Sequence, residues 1–385
     1  MATMERILRL MADKHASDLY MSANAPATLR INGDCIPLNN QPLPFDAPKN
    51  LLAEVLPPAR MEELEEVGEL NVGFAMKDVG RFRVSAMRQR GSFAVVIRYI
   101  NSEIPKLETL NVPLVLNDLI MEKRGLLLMV GSTGAGKSTT LASMIDHRNE
   151  NHSGHILTIE EPIEFLFRSK KSVVNQREIG VDTASLQVAL KNALRQAPDV
   201  ILIGEIRDRE TMSAAIAYAQ SGHLCLATMH ANNSYQTMNR ILSFYPAEVR
   251  PTMLGDLATA LKAIVSQRLL RTGSGHRIPA VEVMLNTTVI SELIERGDFS
   301  AVQSAMEKSM AEGSQTFEQD IARLIHEGKV TRKEGMNQAD SPTNLLWRLD
   351  NDFDVARRAA TEASMQAEAD PVGPTFTDIV LDIKL

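Results

Sequence analysis

Cysteine is nearly absent. Cys35 and Cys225 are the only two in 385 residues, too few for a disulfide framework or a four-thiolate zinc site. Both stand in apolar, strand-like surroundings, which predicts reduced packing residues. No apolar run approaches membrane-spanning length, and the opening MATMERILRLMADKHASDLY has the pattern of an amphipathic helix, not of a signal peptide. A cytoplasmic chain without direct membrane insertion is expected. A basic excess is missing too. The formal net charge is −7, and the eight acids and three bases from Asp350 to Leu385 supply −5 of it, leaving the first 349 residues near neutral. Nucleic-acid machines normally carry a basic stripe with stacking aromatics, so no nucleic-acid partner is expected. No internal repeat is found, and biased sequence is confined to the Ala- and acid-rich tail.

What is present points to a nucleotide. GLLLMVGSTGAGKSTTLASMI runs an apolar strand, Leu126 to Val130, into G-x-x-x-x-G-K-S and then into a helix whose apolar face includes Leu141, Met144 and Ile145. The phosphate-binding loop spans Gly131, Ser132, Thr133, Gly134, Ala135, Gly136, Lys137, Ser138 and Thr139. Its glycines let backbone N–H groups wrap phosphate oxygens, Lys137 reaches the β and γ phosphates of ATP, and the Ser138 hydroxyl can ligate Mg²⁺.

With 385 residues and 44% hydrophobic content, the chain can bury one large core and one small one. Residues 1–100 read as a small α+β domain, with Asn32-Gly33 as a hairpin signal and two further strands around a turn at Arg90-Gly91. On the first of these strands Phe82, Val84 and Ala86 alternate with Arg81, Arg83 and Ser85. Residues 101–113 carry two prolines and read as a linker. From 114 to 349 strands and helices alternate, as in a mostly parallel α/β sheet covered on both faces, and residues 350–385 form the acidic tail.

PDVILIGEIRD places Gly204 and Glu205 at the end of a buried strand where many nucleotide hydrolases carry an Asp. The carboxylates are therefore sought on two strands: Glu205 on this one, and Glu160, Glu161 and Glu164 after the neighbouring HILTIE. Ligands of open α/β sheets bind beyond the carboxyl ends of the strands. Glu164 is expected to position water as the base, Glu205 to hold Mg²⁺ through water, and His230 to sense the γ-phosphate, with a solvated strand-end charge or a packing histidine as the alternative roles. His223 is placed beside the same strand ends, whereas His147, His152 and His155 read as a surface loop and not as a metal site. No arginine stands in an obvious finger position in the loop or the glutamate cluster. Arg83 and Arg98, with Arg81, are candidates delivered by a neighbouring subunit, which implies a ring.

Together GSTGAGKST, ILTIEEPIEF, LRQAPDVILIGEIRD and GHLCLATMHANN resemble the Walker A, Asp box, Walker B and His box of the type II/IV secretion ATPases, in particular the PilT/PilU type IV pilus retraction ATPases. The resemblance runs from ASDLYMSANAPATLRING to EGKVTRKEGMNQADSPTNLLWRL. It implies a homohexamer of PAS-like and RecA-like domains hydrolysing ATP at the cytoplasmic face of the inner-membrane pilus machine. Arginine fingers would fall on Arg83 and Arg98, and the catalytic glutamate on Glu164. Glu161 stands where the family commonly has Asp, and VISELIER replaces the A-I-R-N-L-I-R-E helix of PilT-type proteins. With the added tail, this places the chain nearer the PilU branch. That branch implies an accessory motor whose partners are a PilT-like ATPase and a PilC-like platform protein, the tail being a candidate docking segment. The alternatives are a secretion or pilus-assembly ATPase, or a nucleotide-binding regulator without strong turnover.

Overall fold

A computed structural model describes residues 2–351 apart from Asn32, Asn101, Ser102 and Met310. The docking role expected of the tail lies outside these residues from 352 onward.

The first sheet is antiparallel and six-stranded. Its strands are β1 (Asp18–Met21), β2 (Thr28–Ile31), β3 (Asp34–Pro37), β4 (Glu69–Met76), β5 (Gly80–Gln89) and β6 (Ser92–Ile100), in the order β3-β2-β1-β6-β5-β4. One face is covered by the helices Thr3–Asp13, Ala47–Ala53 and Pro58–Val67, which bring Met4, Leu8, Leu52 and Leu64 onto Leu19, Phe82, Val84 and Ile97. Fully burying side chains of this size stabilises by roughly 1.5–3 kcal/mol each. The other face carries Arg81 and Arg83 of β5, as the two-residue period of a strand demands. The β5–β6 turn has φ of 49° at Arg90 and 82° at Gly91, the left-handed pair of a tight hairpin that matches strand twist. Cys35 departs from its expected packing role. All four residues of β3 are exposed on the sheet edge, and the thiol with them; Cys225 is buried.

The second sheet contains β7 (Gly125–Val130), β8 (His155–Glu160), β9 (Val173–Glu178), β10 (Val200–Ile203), β11 (Leu224–Met229), β12 (Leu261–Arg271) and β13 (Arg277–Leu285), in the order β13-β12-β7-β11-β10-β8-β9. All neighbours pair in parallel except β12 with β13. Every residue of β7 and β10 is buried, because apolar clusters lie on both faces of the sheet. The VISELIER segment lies in the helix Thr288–Arg296, whose Ile290 and Ile294 are buried while Val289 is exposed. Residues 103–113 do not run free of the second domain. Leu107 is buried in its core, and Ser143 Oγ donates to the Pro105 carbonyl at 2.7 Å.

Candidate active site

The phosphate-binding loop joins β7 to the helix Lys137–Asn151. Its shape is fixed from behind by β12. Gln267, buried, donates to the Ala135 carbonyl and accepts from Thr140 Oγ1, both at 2.8 Å. A Cβ on Gly136 would lie 2.7 Å from Gln267 Nε2, and one on Gly131 2.5 Å from the Gln267 carbonyl oxygen. Backbone without side chains is therefore required where the loop rests on the strand. Lys137 Nζ donates to the carbonyls of Gly131 at 2.7 Å and Ser132 at 3.0 Å. Burial pushes the Lys137 pKa down, while the charges of Glu205 and Glu164 push it back up. An ammonium desolvated in this way gains from an anion brought into the loop.

A cavity of about 580 Å³ opens in front of this loop. Thr133, Gly134, Lys137 and Ser138 form one wall, and Glu160, Glu161, Glu164, Glu205 and His230 face them. Gly131, Ser132, Ala135, Gly136 and Thr139 complete the loop outside the lining. The carboxylates and His230 arrive together because β8, β10 and β11 are adjacent and in register, pairing Ile203 with both Ile159 and Ala227. Gly204 stands where an Asp was sought because the chain is tight there: its Cβ would come 3.1 Å from the Ile159 carbonyl and 3.3 Å from Glu160 Cα. Acidic chemistry moves one residue on, to Glu205.

The acids occupy different environments. Burial raises the Glu160 pKa against hydrogen bonds from Thr158 Oγ1 (2.6 Å) and Gln176 Nε2 (3.2 Å). Glu164 is exposed toward the cavity. Glu205 lies between two cations or donors: Arg207 Nη2 is 2.7 Å from Oε2, and His230 Nε2 is 3.4 Å from Oε1. Arg207 also reaches Glu161 at 3.4 Å. It was missed in the sequence, where no arginine of this domain was placed at the site; its signal was the spacing two residues beyond Glu205, with the next residue, Asp208, capping the helix Arg209–Gln220 through the Thr211 amide.

Other expected residues fall elsewhere. His223 precedes β11, at the amino end of the sheet, and contacts Ser221 Oγ at 3.1 Å. It is therefore on the opposite edge from the phosphate-binding loop. His155 likewise begins β8 and bonds the Gln196 carbonyl and Asn175 Oδ1, both at 2.9 Å. Arg83 lines the cavity of its own chain. Arg98 does not line it. The β-sheet register sets Arg30, Asp18, Arg98, Arg83 and Gly73 in one row across β2, β1, β6, β5 and β4, and Arg98 Nε donates to buried Asp18 Oδ1 at 2.9 Å. Arg81 pairs with Glu178 of β9 instead. Among the described residues no group of three or more His, Cys, Asp or Glu is arranged to hold a metal ion.

Residues 64–341 match the family of type II/IV secretion system proteins. The type IV pilus ATPase PilU of Pseudomonas aeruginosa is 42% identical over 97% of this chain and 99% of its own length. The type IV pilus retraction ATPase PilT of that organism is 36% identical over 88% of this chain and 98% of its own. A crystal structure of the pilus retraction motor PilT with bound ADP aligns with a TM-score of 0.83 at 38% identity, covering 89% of this chain and 98% of the other. The stronger identity to PilU agrees with the reading of the VISELIER helix.

Proposed function

The chain belongs to the type II/IV secretion system protein family, and from that membership we propose that it is a hexameric ATP-hydrolysing motor of type IV pilus retraction, acting beside a PilT-like ATPase in twitching motility. One observation supports this best: a single cavity gathers Lys137, Glu164, Glu205, His230 and the N-terminal Arg83. We take residues 1–100 as a PAS-like domain, 101–113 as its connection, 114–349 as the RecA-like ATPase domain and 350–385 as an acidic tail.

Lys137 and the loop amides bind the β and γ phosphates, and the positive end of the helix Lys137–Asn151 favours their charge. Glu164, exposed toward the cavity, takes a proton from water as the water oxygen attacks the γ phosphorus and the bond to the β–γ bridging oxygen breaks. Arg83 and Arg207 stabilise charge that spreads onto the γ oxygens. Arg98 lies outside the lining of this cavity and is proposed to serve the nucleotide of a neighbouring subunit. Ser138 and Glu205 present only oxygen toward the phosphates, the donor type that suits Mg²⁺. When bound there, Mg²⁺ supplies neutralisation of phosphate charge. His230, against Glu205, registers whether the γ-phosphate is present.

No helix among the described residues is long and apolar enough to cross a membrane. The motor is proposed to act peripherally, at the cytoplasmic face of the inner membrane, through a PilC-like platform protein. The test is ATP turnover by the purified chain together with pilus retraction in cells lacking it. Retraction that weakens under load without this chain, and fails without the PilT-like ATPase, is expected. Unaided retraction in cells lacking the PilT-like ATPase would refute the accessory role.

A further inference from the structure

Glu178 ends β9 and is almost fully buried. One of its oxygens, Oε2, accepts from the Ile163 amide at 3.1 Å and from Arg81 Nη2. Ile163 sits between Glu161 and Glu164, in the loop that carries the proposed base. Arg81 belongs to the other domain, on β5, two residues before Arg83 and on the same face. A single carboxylate oxygen thus touches the catalytic loop and the N-terminal sheet at once.

The surroundings are shaped for this contact. A Cβ on Gly73 would lie 2.9 Å from Glu178 Oε1 and 3.0 Å from Arg81 Nη2, so β4 passes the pair only because it has no side chain there. Arg60 Nη2 donates to the Gly180 carbonyl at 3.0 Å, a second grip of the N-terminal domain on the turn that follows β9. The turn is itself braced, since Asp182 Oδ2 accepts from the Glu178 amide at 2.8 Å.

We propose that Glu178 is a positioning residue that makes hydrolysis conditional on docking of the N-terminal domain, because the same oxygen that receives Arg81 also fixes the Glu161–Glu164 loop. With Arg81 seated, the buried carboxylate is compensated and the loop is held. If the N-terminal domain swings away, Arg83 leaves the cavity and Glu178 loses its cation, keeping the Ile163 amide as partner without the guanidinium that fixes the carboxylate in place. Loss of the arginine and loosening of the base are then one event. This rests on the reading of Glu164 as base, but the link itself is tested separately.

The experiment uses the full chain with Arg81→Ala, Arg81→Lys, Glu178→Gln and the Arg81→Ala/Glu178→Gln double variant. Turnover, affinity for a fluorescent ADP analogue, and hydrogen exchange at the Ile163 and Glu164 amides are measured on each. Arg81→Ala is expected to lower kcat about tenfold with analogue affinity within about threefold, and the double variant to be no worse than the poorer single one, as for partners in one interaction. Exchange at Ile163 should quicken in Arg81→Ala, although the substitution lies in the other domain, and Arg81→Lys should restore part of the protection. Unchanged exchange at Ile163 in Arg81→Ala, or additive losses of kcat, would overturn the proposal. Should Glu178→Gln fail to fold, the Arg81 variants still decide it. Normal turnover in Glu164→Gln would defeat the base assignment while leaving the exchange result to judge the link.

Discussion

His230 Nε2 lies 3.4 Å from Glu205 Oε1, and Arg207 holds the other oxygen of the same carboxylate. The two side chains flank Glu205 from the next strand and from its own, so its direction is set on both sides. Arg207 is also the guanidinium that this domain itself brings to the cavity wall between Glu161 and Glu205. Arg207→Ala is expected to reduce kcat by roughly tenfold to a hundredfold, with a smaller change in nucleotide affinity. Steady-state kinetics set beside nucleotide titration check this, and an unchanged kcat would remove Arg207 from the site.

Lys137 and Glu164 are expected to separate binding from chemistry. Lys137→Ala should weaken nucleotide binding by tenfold or more and abolish measurable turnover, whereas Glu164→Gln should bind within about threefold and lose about a hundredfold or more in kcat. Titration and single-turnover measurements on both variants give the comparison.

Glu160 is the neighbouring acid that should not matter for proton transfer. Its Oε1 already accepts from Thr158 and Gln176, so it braces the strand end. Glu160→Gln is expected to keep turnover within about tenfold of the parent, the loss being one of geometry. A hundredfold loss with intact binding would transfer the base role to Glu160.

Alkali should unfold the ATPase core from within. Burial pushes the Tyr218 pKa up to about 12 and raises that of the Cys225 thiol as well. Unfolded thiol and phenol ionise near about 8.5 and 10, so the unfolded chain releases protons first. Stability is thus present in full below those values and falls as pH rises through them toward the folded values. Melting temperatures measured by circular dichroism at pH 8, 10 and 11 should drop. Cys225→Ala should flatten the early part of the fall, and an unchanged slope would contradict the assignment.

The tail offers a test of partnership. Removing residues 351–385 is expected to leave ATP turnover and hexamers intact and to weaken association with the PilT-like ATPase, measured by co-purification and by analytical ultracentrifugation. Undiminished association would exclude a docking role.

Much of this architecture could be read from the chain because it rests on local rules. The phosphate-binding loop needs glycines at fixed spacing, the β5–β6 hairpin needs a left-handed turn, and the buried parallel strands need apolar runs; all are visible over a few residues. What could not be read depends on which end of a strand faces the ligand, and on meetings between distant segments. His223 and His230 flank the two ends of one strand, and parallel pairing with β7 puts only the His230 end beside the phosphate-binding loop. Cys35 shares its pattern with buried strands, but β3 has no layer over it. Arg81 and Glu178 are 97 positions apart, and no spacing rule connects them. Arg207 was legible in principle, since it stands two residues beyond Glu205 at the carboxyl end of β10.

The row that carries Arg83 across the first sheet has a consequence for how this domain can change. Along β5 the odd positions, Arg81 and Arg83, meet the ATPase domain and the even ones, Phe82, Val84 and Ala86, fill the core. The contribution proposed for this domain is therefore a matter of parity, kept by the short Arg90-Gly91 turn that aligns β5 with β6. One extra residue within β5 exchanges odd for even, pointing guanidinium groups into the apolar core and phenylalanine at the nucleotide. Viable length changes in this hairpin are confined to steps of two, or to residues beyond the strands.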